Sequence, residues 1–259
     1  MKILILGSTG MLGSMVLRYL STKDLDITAP TREELNKTDF SKYDYIINCI
    51  GIIKQKLDNP SEAIKINSLL PHIISKRAPD SKIIQIATDC VYSGEDGQYS
   101  ELSLHDALDV YGKTKSLGEV DAKNFYNIRT SIIGPGGTGS LLKWFLDLKD
   151  DATVDGYANH YWNGVTTLHF AKLCYLIIKE NVEIPRSFHF VPGDTVSKYN
   201  LLKIFAKRYL REHIEIEPFE TPDTVDRTLS TVHEEVNEKL WKGMGYDTPP
   251  TIEEMVNEL

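Results

Sequence analysis

The chain has little cysteine, no long apolar run and fewer basic than acidic side chains. Three of its 259 residues are cysteines, and Cys49, Cys90 and Cys174 lack the short spacings of a metal site or a disulfide framework. No segment approaches the run of about 18 apolar residues that crosses a membrane. No charged segment with a cleavage site precedes the first apolar run. We therefore expect a cytoplasmic protein with reduced thiols, no metal site and no membrane partner.

The charge balance argues against a nucleic-acid partner. The chain has 37 acidic and 29 basic residues and a net charge of −8, whereas a surface that binds nucleic acid needs clustered positive charge. The length of 259 residues and the hydrophobic content of 41% suit one large α/β domain, or one domain with a small appendage.

The N-terminal residues combine a buried strand with a glycine turn. The segment Lys2–Leu6 is nearly all apolar, which is typical of a strand buried on both faces of a parallel sheet. Gly7, Gly10 and Gly13 follow at a spacing of three, and apolar side chains then recur with helical periodicity over Met11–Leu20. Strand, glycine turn and helix in this order predict a dinucleotide site, because a pyrophosphate can rest on the free N–H groups of the helix N-terminus.

Strands and helices continue to alternate beyond this turn, which predicts an α/β fold with a doubly wound parallel (Rossmann) sheet. The predicted strands cover residues 26–32, 43–53, 81–87, 127–133 and 187–191. The predicted helices cover residues 62–77, 140–148, 167–179 and 198–210, with another that starts near residue 109. We assign residues 1–155 to a dinucleotide-binding domain. Residues 156–259 are assigned mainly to a smaller substrate-binding region, with 165–195 returning to the Rossmann core.

The end of the second predicted strand bears on the choice between the two nicotinamide cofactors. In dinucleotide folds an acid there binds the ribose hydroxyls of NAD, whereas a basic residue accepts the 2′-phosphate of NADP. This tip holds Thr31 and Arg32, and the first carboxylate is Glu33. We therefore expect NADP(H), with Arg32 at the phosphate and Asp39 near the adenine. A solvated Arg32 with Glu33 at the ribose is the alternative, and it would favour NAD(H).

Tyr111 and Lys115 are four residues apart at the start of a predicted helix, so their side chains share one helix face. A phenol has an unperturbed pKa of about 10 and exchanges protons at neutral pH more readily beside a cation. The alternative is a surface tyrosine beside a solvated lysine. Asn67, inside the helix predicted over residues 62–77, either faces solvent or holds neighbouring backbone near the site.

In chain order, the glycine turn, the strand end at Asn48–Gly51, Thr88, and the Tyr111 and Lys115 pair resemble the extended short-chain dehydrogenase/reductases. Within them the chain is most similar to the dTDP-4-dehydrorhamnose reductase group, through GSTGMLG, TDCVYSG, GQYSE, DVYGKTKSLGE and IRTSIIG. The resemblance is specific over residues 1 to about 135, and YWNGVTT and DRTLST extend it loosely. It implies the NADPH-dependent reduction of the 4-keto group of a dTDP- or UDP-linked 4-keto-6-deoxyhexose, in rhamnose-type deoxysugar biosynthesis.

The resemblance also implies roles for individual residues. Thr88 would polarise the carbonyl oxygen, Tyr111 would protonate it, and Lys115 would hold the nicotinamide ribose and lower the pKa of Tyr111. Besides Tyr111, Lys115, Arg32 and Asp39, the implied cofactor-binding residues are Gly7, Thr9, Gly10, Met11, Leu12, Cys49, Ile50 and Gly51. The implied substrate-binding residues are Asp89, Cys90, Val91, Ile132, Asn163 and Arg227.

Two further functions and the assembly of the protein stay open. Related nucleotide-sugar enzymes that epimerise and reduce carry a cysteine at the position of Cys90, which would pair with a second acid/base such as Lys143. A small apolar filler is the alternative role of Cys90. Other relatives are non-catalytic NADP-binding regulatory subunits. A homodimer, the nucleotide base and the stereochemistry of the sugar are left undecided by the sequence.

Overall fold

The computed structural model of the protein describes residues 1–137 and 139–259. The strands are β1 Lys2–Leu6, β2 Asp26–Thr28, β3 Tyr45–Asn48, β4 Lys82–Ile86, β5 Phe125–Arg129, β6 Ile132–Ile133, β7 Thr153–Tyr157, β8 His160–Trp162, β9 Val165–Thr166, β10 Ser187–His189, β11 Val196–Ser197, β12 Glu215–Phe219 and β13 Val225–Asp226. The helices are α1 Met11–Leu20, α2 Arg32–Leu35, α3 Pro60–Ala63, α4 Leu70–Arg77, α5 Val110–Leu117, α6 Leu141–Leu146, α7 Thr167–Lys179, α8 Lys198–Arg208, α9 Glu234–Gly243 and α10 Ile252–Asn257. A π-helical segment, Ile64–Leu69, joins α3 to α4.

Six parallel strands form the central sheet, in the order β10-β5-β4-β3-β1-β2. This arrangement confirms the predicted α/β fold with a doubly wound parallel sheet. The chain runs from β1 outwards to β2 and then returns to place β3 on the other side of β1. The carboxyl ends of β1 and β3 therefore frame a crevice of the kind in which open α/β sheets bind ligands.

Apolar layers cover both faces of the sheet. Alternate side chains of β1 enter opposite layers, with Ile3 and Ile5 in one and Leu4 and Leu6 in the other. Helices α1 and α7 pack against each other in the first layer, and α4 contributes Ile74 to the second. Burial on both faces explains why β1 and β3 are nearly continuous apolar runs.

The second strand is shorter than predicted, and this changes the position of Arg32. Strand β2 ends at Thr28, and Arg32 is the first residue of α2 instead of the tip of a strand. The Thr31 hydroxyl accepts a hydrogen bond from the Glu34 N–H at 3.3 Å, and the Glu34 carboxylate accepts one from the Thr31 N–H at 2.8 Å. This reciprocal capping box starts a helix where the sequence predicted a strand.

The second half of the chain contributes to the central sheet and builds smaller sheets beside it. Strand β10 pairs with β5, and α7 packs on α1. Strands β11, β8 and β13 form a three-stranded sheet, β12 pairs with β7, and β6 pairs with β9. The sequence predicted α7 and α8 but missed α9 and these short strands. Across the described residues, none of the helices combines the length and apolarity that crossing a membrane requires.

Candidate active site

The glycine turn after β1 is a close contact between three backbone segments. Gly7 has a φ of +77°, and a Cβ at Gly7 would lie 3.0 Å from the carbonyl carbon of Cys49. A Cβ at Gly13 would lie 2.1 Å from the Gly7 carbonyl oxygen. Any side chain at these two positions would push α1 and the end of β3 away from the turn. Gly10 is the N-cap of α1 and has no side chain to bond the first N–H groups. The first N–H groups of α1 can therefore bind an anion.

The end of β3 forms the other wall of the crevice. The Asn48 side chain donates to Gln85 Oε1 at 2.7 Å and accepts from the Ile50 N–H at 3.1 Å, which fixes the turn that carries Cys49 and Gly51. Asn67 accepts from the Ile52 N–H at 2.8 Å and donates to the Ile52 carbonyl at 3.0 Å. Of the two interpretations of Asn67, holding neighbouring backbone is therefore confirmed. Its position in the π-helical segment agrees with the frequent occurrence of such segments at functional sites.

Thr88, Tyr111 and Lys115 come together where β4 ends and α5 begins. The Thr88 hydroxyl accepts from the Cys90 N–H at 3.2 Å and donates to Asp89 Oδ1 at 3.1 Å. Lys115 is buried, and its Nζ donates to the Ile86 carbonyl at 2.8 Å, at the end of β4. Burial lowers the pKa of Lys115 to about 8.

The Tyr111 side chain is half-buried at the start of α5. Desolvation, followed by the neighbouring Cys90, raises the pKa of Tyr111, and the Thr88 hydroxyl acts in the opposite direction. Tyr111 is therefore a neutral phenol at pH 7, which is the form that can donate a proton. The lowering of this pKa by Lys115 stays a prediction.

Gly112 allows the close approach between α5 and the turn after β4, a contact that the sequence motifs did not predict. A Cβ at Gly112 would lie 2.3 Å from the Cys90 carbonyl oxygen and 2.4 Å from the Ala107 Cβ. Asp109 caps α5 by accepting from the Gly112 N–H at 2.8 Å, and it also accepts from Lys54 Nζ at 2.9 Å. A glycine directly after the tyrosine is the signal that could have identified this contact.

The residues expected on the substrate side have different environments. Asp89 and Cys90 are half-buried beside Thr88, and burial raises the pKa of the Cys90 thiol to about 12. Val91 is fully buried in a small core with Tyr92, so its side chain contacts protein. Ile132, at the start of β6, is half-buried and pairs with Val165 of β9.

Asn163 and Arg227 both bond to backbone of other segments. The Asn163 amide donates to the Leu229 carbonyl at 2.7 Å and accepts from the Leu229 N–H at 2.9 Å. Arg227 donates from Nε to the Tyr92 carbonyl at 2.9 Å and from Nη2 to the Ser93 carbonyl at 2.7 Å. Asn163 therefore positions the segment that carries Arg227, and Arg227 lies beside the turn that follows Thr88.

The two residues expected at the adenosine end lie on the surface. The exposed Arg32 pairs with Glu62, with 3.1 Å between Nη2 and Oε1. An exposed pair of this kind contributes little to stability, so a ligand phosphate can replace it. Asp39 caps the single turn Phe40–Lys42 by accepting from the Ser41 N–H at 3.2 Å.

Lys198 is a candidate site residue that no motif indicated. It is the first residue of α8, and its Nζ lies 5.3 Å from the centre of the Trp162 ring. The positive charge of Lys198 opposes the burial that raises the pKa of Asp89. The positive charge of Arg227 helps to lower the pKa of Lys198. The available signal was a lysine in the first turn of a predicted helix, where a cation faces the positive end of the helix dipole. Lys143, by contrast, pairs with Asp147 one turn further along α6.

Comparison with known proteins supplies the family and confirms the fold. The family described as RmlD substrate binding domain matches residues 1–259. A dTDP-4-dehydrorhamnose reductase from Streptomyces griseus is 28% identical over an alignment of length 171, and the match covers 58% of this chain and 56% of that protein. The matched segment thus spans little more than half the length of that relative.

Two solved structures have the same fold over nearly their whole length. A dTDP-4-dehydrorhamnose reductase from Clostridium acetobutylicum matches with a TM-score of 0.82 and 23% identity, over 100% of this chain and 98% of that one. The dTDP-4-dehydrorhamnose reductase from Bacillus anthracis, solved in complex with NADP, matches with a TM-score of 0.80 and 19% identity, over 99% and 97% of the two chains. At these identities the likeness is one of fold.

Proposed function

Because the chain belongs to the RmlD substrate binding domain family over residues 1–259, we propose that it is an NADPH-dependent reductase of a nucleotide-activated 4-keto-6-deoxyhexose. The substrate would carry dTDP or UDP, and the product would serve rhamnose-type deoxysugar biosynthesis. The observation that carries the proposal is the placement of Thr88, Tyr111 and Lys115 where β4 ends and α5 begins, beside the crevice between β1 and β3, with Thr88 next to the Tyr111 phenol and Lys115 bonded to the Ile86 carbonyl.

The crevice suits a dinucleotide. The close contacts at Gly7 and Gly13 keep three backbone segments together, and the uncapped N–H groups of α1 can bind a pyrophosphate. Thr9, Gly10, Met11 and Leu12 would line the pyrophosphate, and Cys49, Ile50 and Gly51 the adenosine side. Arg32 would leave Glu62 to pair with a 2′-phosphate, which favours NADP(H); Glu33 at the ribose would instead admit NAD(H).

Each residue of the convergent trio has a distinct task in a ketone reduction. The nicotinamide, when bound, supplies the hydride. The hydroxyl of Thr88 would turn from Asp89 and donate its hydrogen bond to the ketone oxygen, where negative charge develops. Tyr111, held as a phenol by its raised pKa, would transfer its proton to that oxygen. Lys115 would bind the nicotinamide ribose and stabilise the phenolate that remains, and its bond to the Ile86 carbonyl orients its ammonium for both tasks.

The two alternatives have less support. A thiol with a pKa of about 12 is protonated at neutral pH, so Cys90 is a poor base for removing a proton beside a ketone. Lys143 is paired with Asp147 and is not brought to Cys90 by any contact in the described part of the chain. If the protein were a non-catalytic regulatory subunit, the placement of Thr88, Tyr111 and Lys115 beside one another would serve no reaction.

The test is turnover by the purified protein. NADPH oxidation is followed by absorbance with dTDP-, UDP- and GDP-linked 4-keto-6-deoxyhexoses, for the wild type, Tyr111→Phe and the matched control Tyr43→Phe. We expect turnover by the wild type and the control, and a loss of about 10²–10⁴-fold in Tyr111→Phe, the usual contribution of a positioned acid. Cofactor binding without turnover in the wild type would favour a regulatory subunit. Wild-type rates in Tyr111→Phe would refute the assigned proton donor.

A further inference from the structure

The three-stranded sheet brings two basic residues together on the substrate side. Strand β13 pairs with β8 so that Asp226 lies opposite Tyr161, and β11 pairs with β8 so that Ser197 lies opposite the same residue. Arg227 directly follows Asp226, and Lys198 directly follows Ser197. Lys198 and Arg227 therefore each lie one residue beyond the level of Tyr161, on either side of β8, with Lys198 towards His160 and Arg227 towards Trp162.

Arg227 is held in place by backbone. Its Nε and Nη2 donate to the carbonyls of Tyr92 and Ser93 at 2.9 and 2.7 Å, which fixes the guanidinium beside the turn after Thr88. These bonds use two of its three nitrogens. In the part of the chain that the structure describes, Nη1 has no bonded partner, so a fixed guanidinium retains a donor for a ligand.

Lys198 lies in an electrostatically unfavourable place. It occupies the first residue of α8, where the helix dipole is positive, and it is partly withdrawn from water beside Trp162. Burial lowers the pKa of Lys198 to about 8, and Arg227 acts in the same direction. Among the described residues, no carboxylate pairs with its ammonium within 4.0 Å. An anionic group on a bound ligand would stabilise the charged form of Lys198 at this position.

We propose that Lys198 is a substrate-binding residue that, with Arg227, holds an anionic oxygen group of the nucleotide sugar. The inference rests on the proposed function, which supplies a substrate with such a group. Phosphate and carboxylate oxygens have the same chemistry towards two cations, so the group is either the diphosphate or a carboxylate on the sugar. The location supports this role, because Lys198 lies within electrostatic range of Asp89 and Cys90, which directly follow Thr88 in the proposed site.

The first experiment measures ligand binding by titration calorimetry at pH 7 in the holoprotein loaded with NADP⁺. The ligands are dTDP, UDP, UDP-glucose and UDP-glucuronate. The proteins are the wild type, Lys198→Met, Lys198→Arg and Lys203→Met, a matched control that removes an exposed lysine from the same helix. We expect Lys198→Met to weaken binding at least tenfold, while Lys198→Arg restores most of it and Lys203→Met has no effect. NADP⁺ affinity, measured separately in the apoproteins, should be the same in all four.

The pattern across the ligands identifies the anionic group. Weaker binding of all four ligands to Lys198→Met assigns the diphosphate. Weaker binding of UDP-glucuronate alone, with UDP and UDP-glucose unchanged, assigns a sugar carboxylate. Unchanged binding of every ligand to Lys198→Met would overturn the inference. Turnover by the wild type in the NADPH assay would still support the proposed function in that case. A wild type that binds none of the ligands overturns both.

A pH series separates Lys198 from its neighbours. The groups that face it are Asp89, Cys90, Arg227 and His160. Between pH 7 and 9 the dTDP phosphates stay ionised because their last pKa is about 6, and His160, whose pKa burial lowers, stays neutral. The wild type should bind dTDP progressively more weakly as Lys198 loses its proton. Lys198→Arg should bind it equally across the series, and the same decline in that variant would overturn the assignment to Lys198.

Discussion

Replacing Gly112 by alanine tests whether the contact between α5 and the turn after β4 sets the catalytic geometry. The added Cβ would lie 2.3 Å from the Cys90 carbonyl oxygen and 2.4 Å from the Ala107 Cβ. Ordinary contacts of this kind are about 1 Å longer, so α5 and the turn must separate by about that amount. Because Tyr111 precedes Gly112 and Thr88 precedes the turn, the separation acts directly between the two groups that would hold the ketone oxygen.

Two opposing effects decide the outcome of Gly112→Ala. Alanine favours a helix interior over glycine by about 0.5–1 kcal/mol. Overpacking against backbone costs about 1–3 kcal/mol, so we expect a net loss of stability. A misplacement of about 1 Å in a catalytic site can cost about 10²-fold in rate. We therefore expect kcat to fall by about that factor, with a smaller loss of NADPH affinity, because Lys115 moves with α5 whereas the glycine turn lies elsewhere.

The assay compares Gly112→Ala with Lys113→Ala, an exposed substitution one residue further along α5. Steady-state NADPH oxidation with the confirmed substrate gives kcat and KM, fluorescence titration gives the NADPH affinity, and urea unfolding gives stability. The control should match the wild type in all three. A Gly112→Ala variant with wild-type kcat and equal or greater stability would show that helix propensity dominates and that the contact does not position Tyr111.

Four further outcomes follow from the structure. Arg32→Ala should weaken NADPH binding about tenfold and leave NADH binding unchanged, since a charge-assisted bond to phosphate is lost; equal losses for both cofactors in a titration would contradict this. Arg129→Met should lower the free energy of unfolding in urea by about 3–5 kcal/mol, because it leaves the Glu119 carboxylate buried without its partner; a double variant that also carries Glu119→Met should recover part of the loss. Burial lowers the pKa of His169 to about 4, so the unfolded chain binds an extra proton between pH 6.5 and 4. Stability should therefore fall as the pH falls through this range, and His169→Gln should flatten the slope. Cys90→Ser should retain most of the reductase activity, with no solvent deuterium at C3 or C5 of the product by mass spectrometry; deuterium there in the wild type, absent in the variant, would support the bifunctional alternative.

Buried networks link the candidate site to the C-terminal half of the chain. Arg129, at the end of β5, donates to Glu119 Oε1 at 2.7 Å and contacts the Tyr92 hydroxyl at 3.2 Å and the His189 ring at 3.0 Å. The ring of His189 also contacts the Ser230 carbonyl at 2.7 Å. The position of the segment that carries Arg227 therefore depends on groups that take no part in the proposed reaction.

Features that depend on a few adjacent residues were predictable from the sequence. The strand, the glycine turn and α1 follow from an apolar run and a spacing of three, and Tyr111 and Lys115 share a face because they are one helical turn apart. The parallel sheet follows from the alternation of strands and helices. The predicted strand position of Arg32 was wrong even at short range, because the capping box of Thr31 and Glu34 overrode the expected strand.

The tertiary structure decided which distant segments meet. The pairing of Asn163 with Leu229 spans 66 residues, and the pairing of Arg227 with Tyr92 spans 135. Lys198 and Arg227 come to the same small sheet because β11 and β13 both pair with β8. Short strands of two or three residues leave almost no periodicity in the sequence, and their pairing is fixed by burial against the rest of the fold. The amino-acid sequence alone therefore determined the dinucleotide fold and the predicted catalytic trio, whereas long-range strand pairing decided how the substrate side is built.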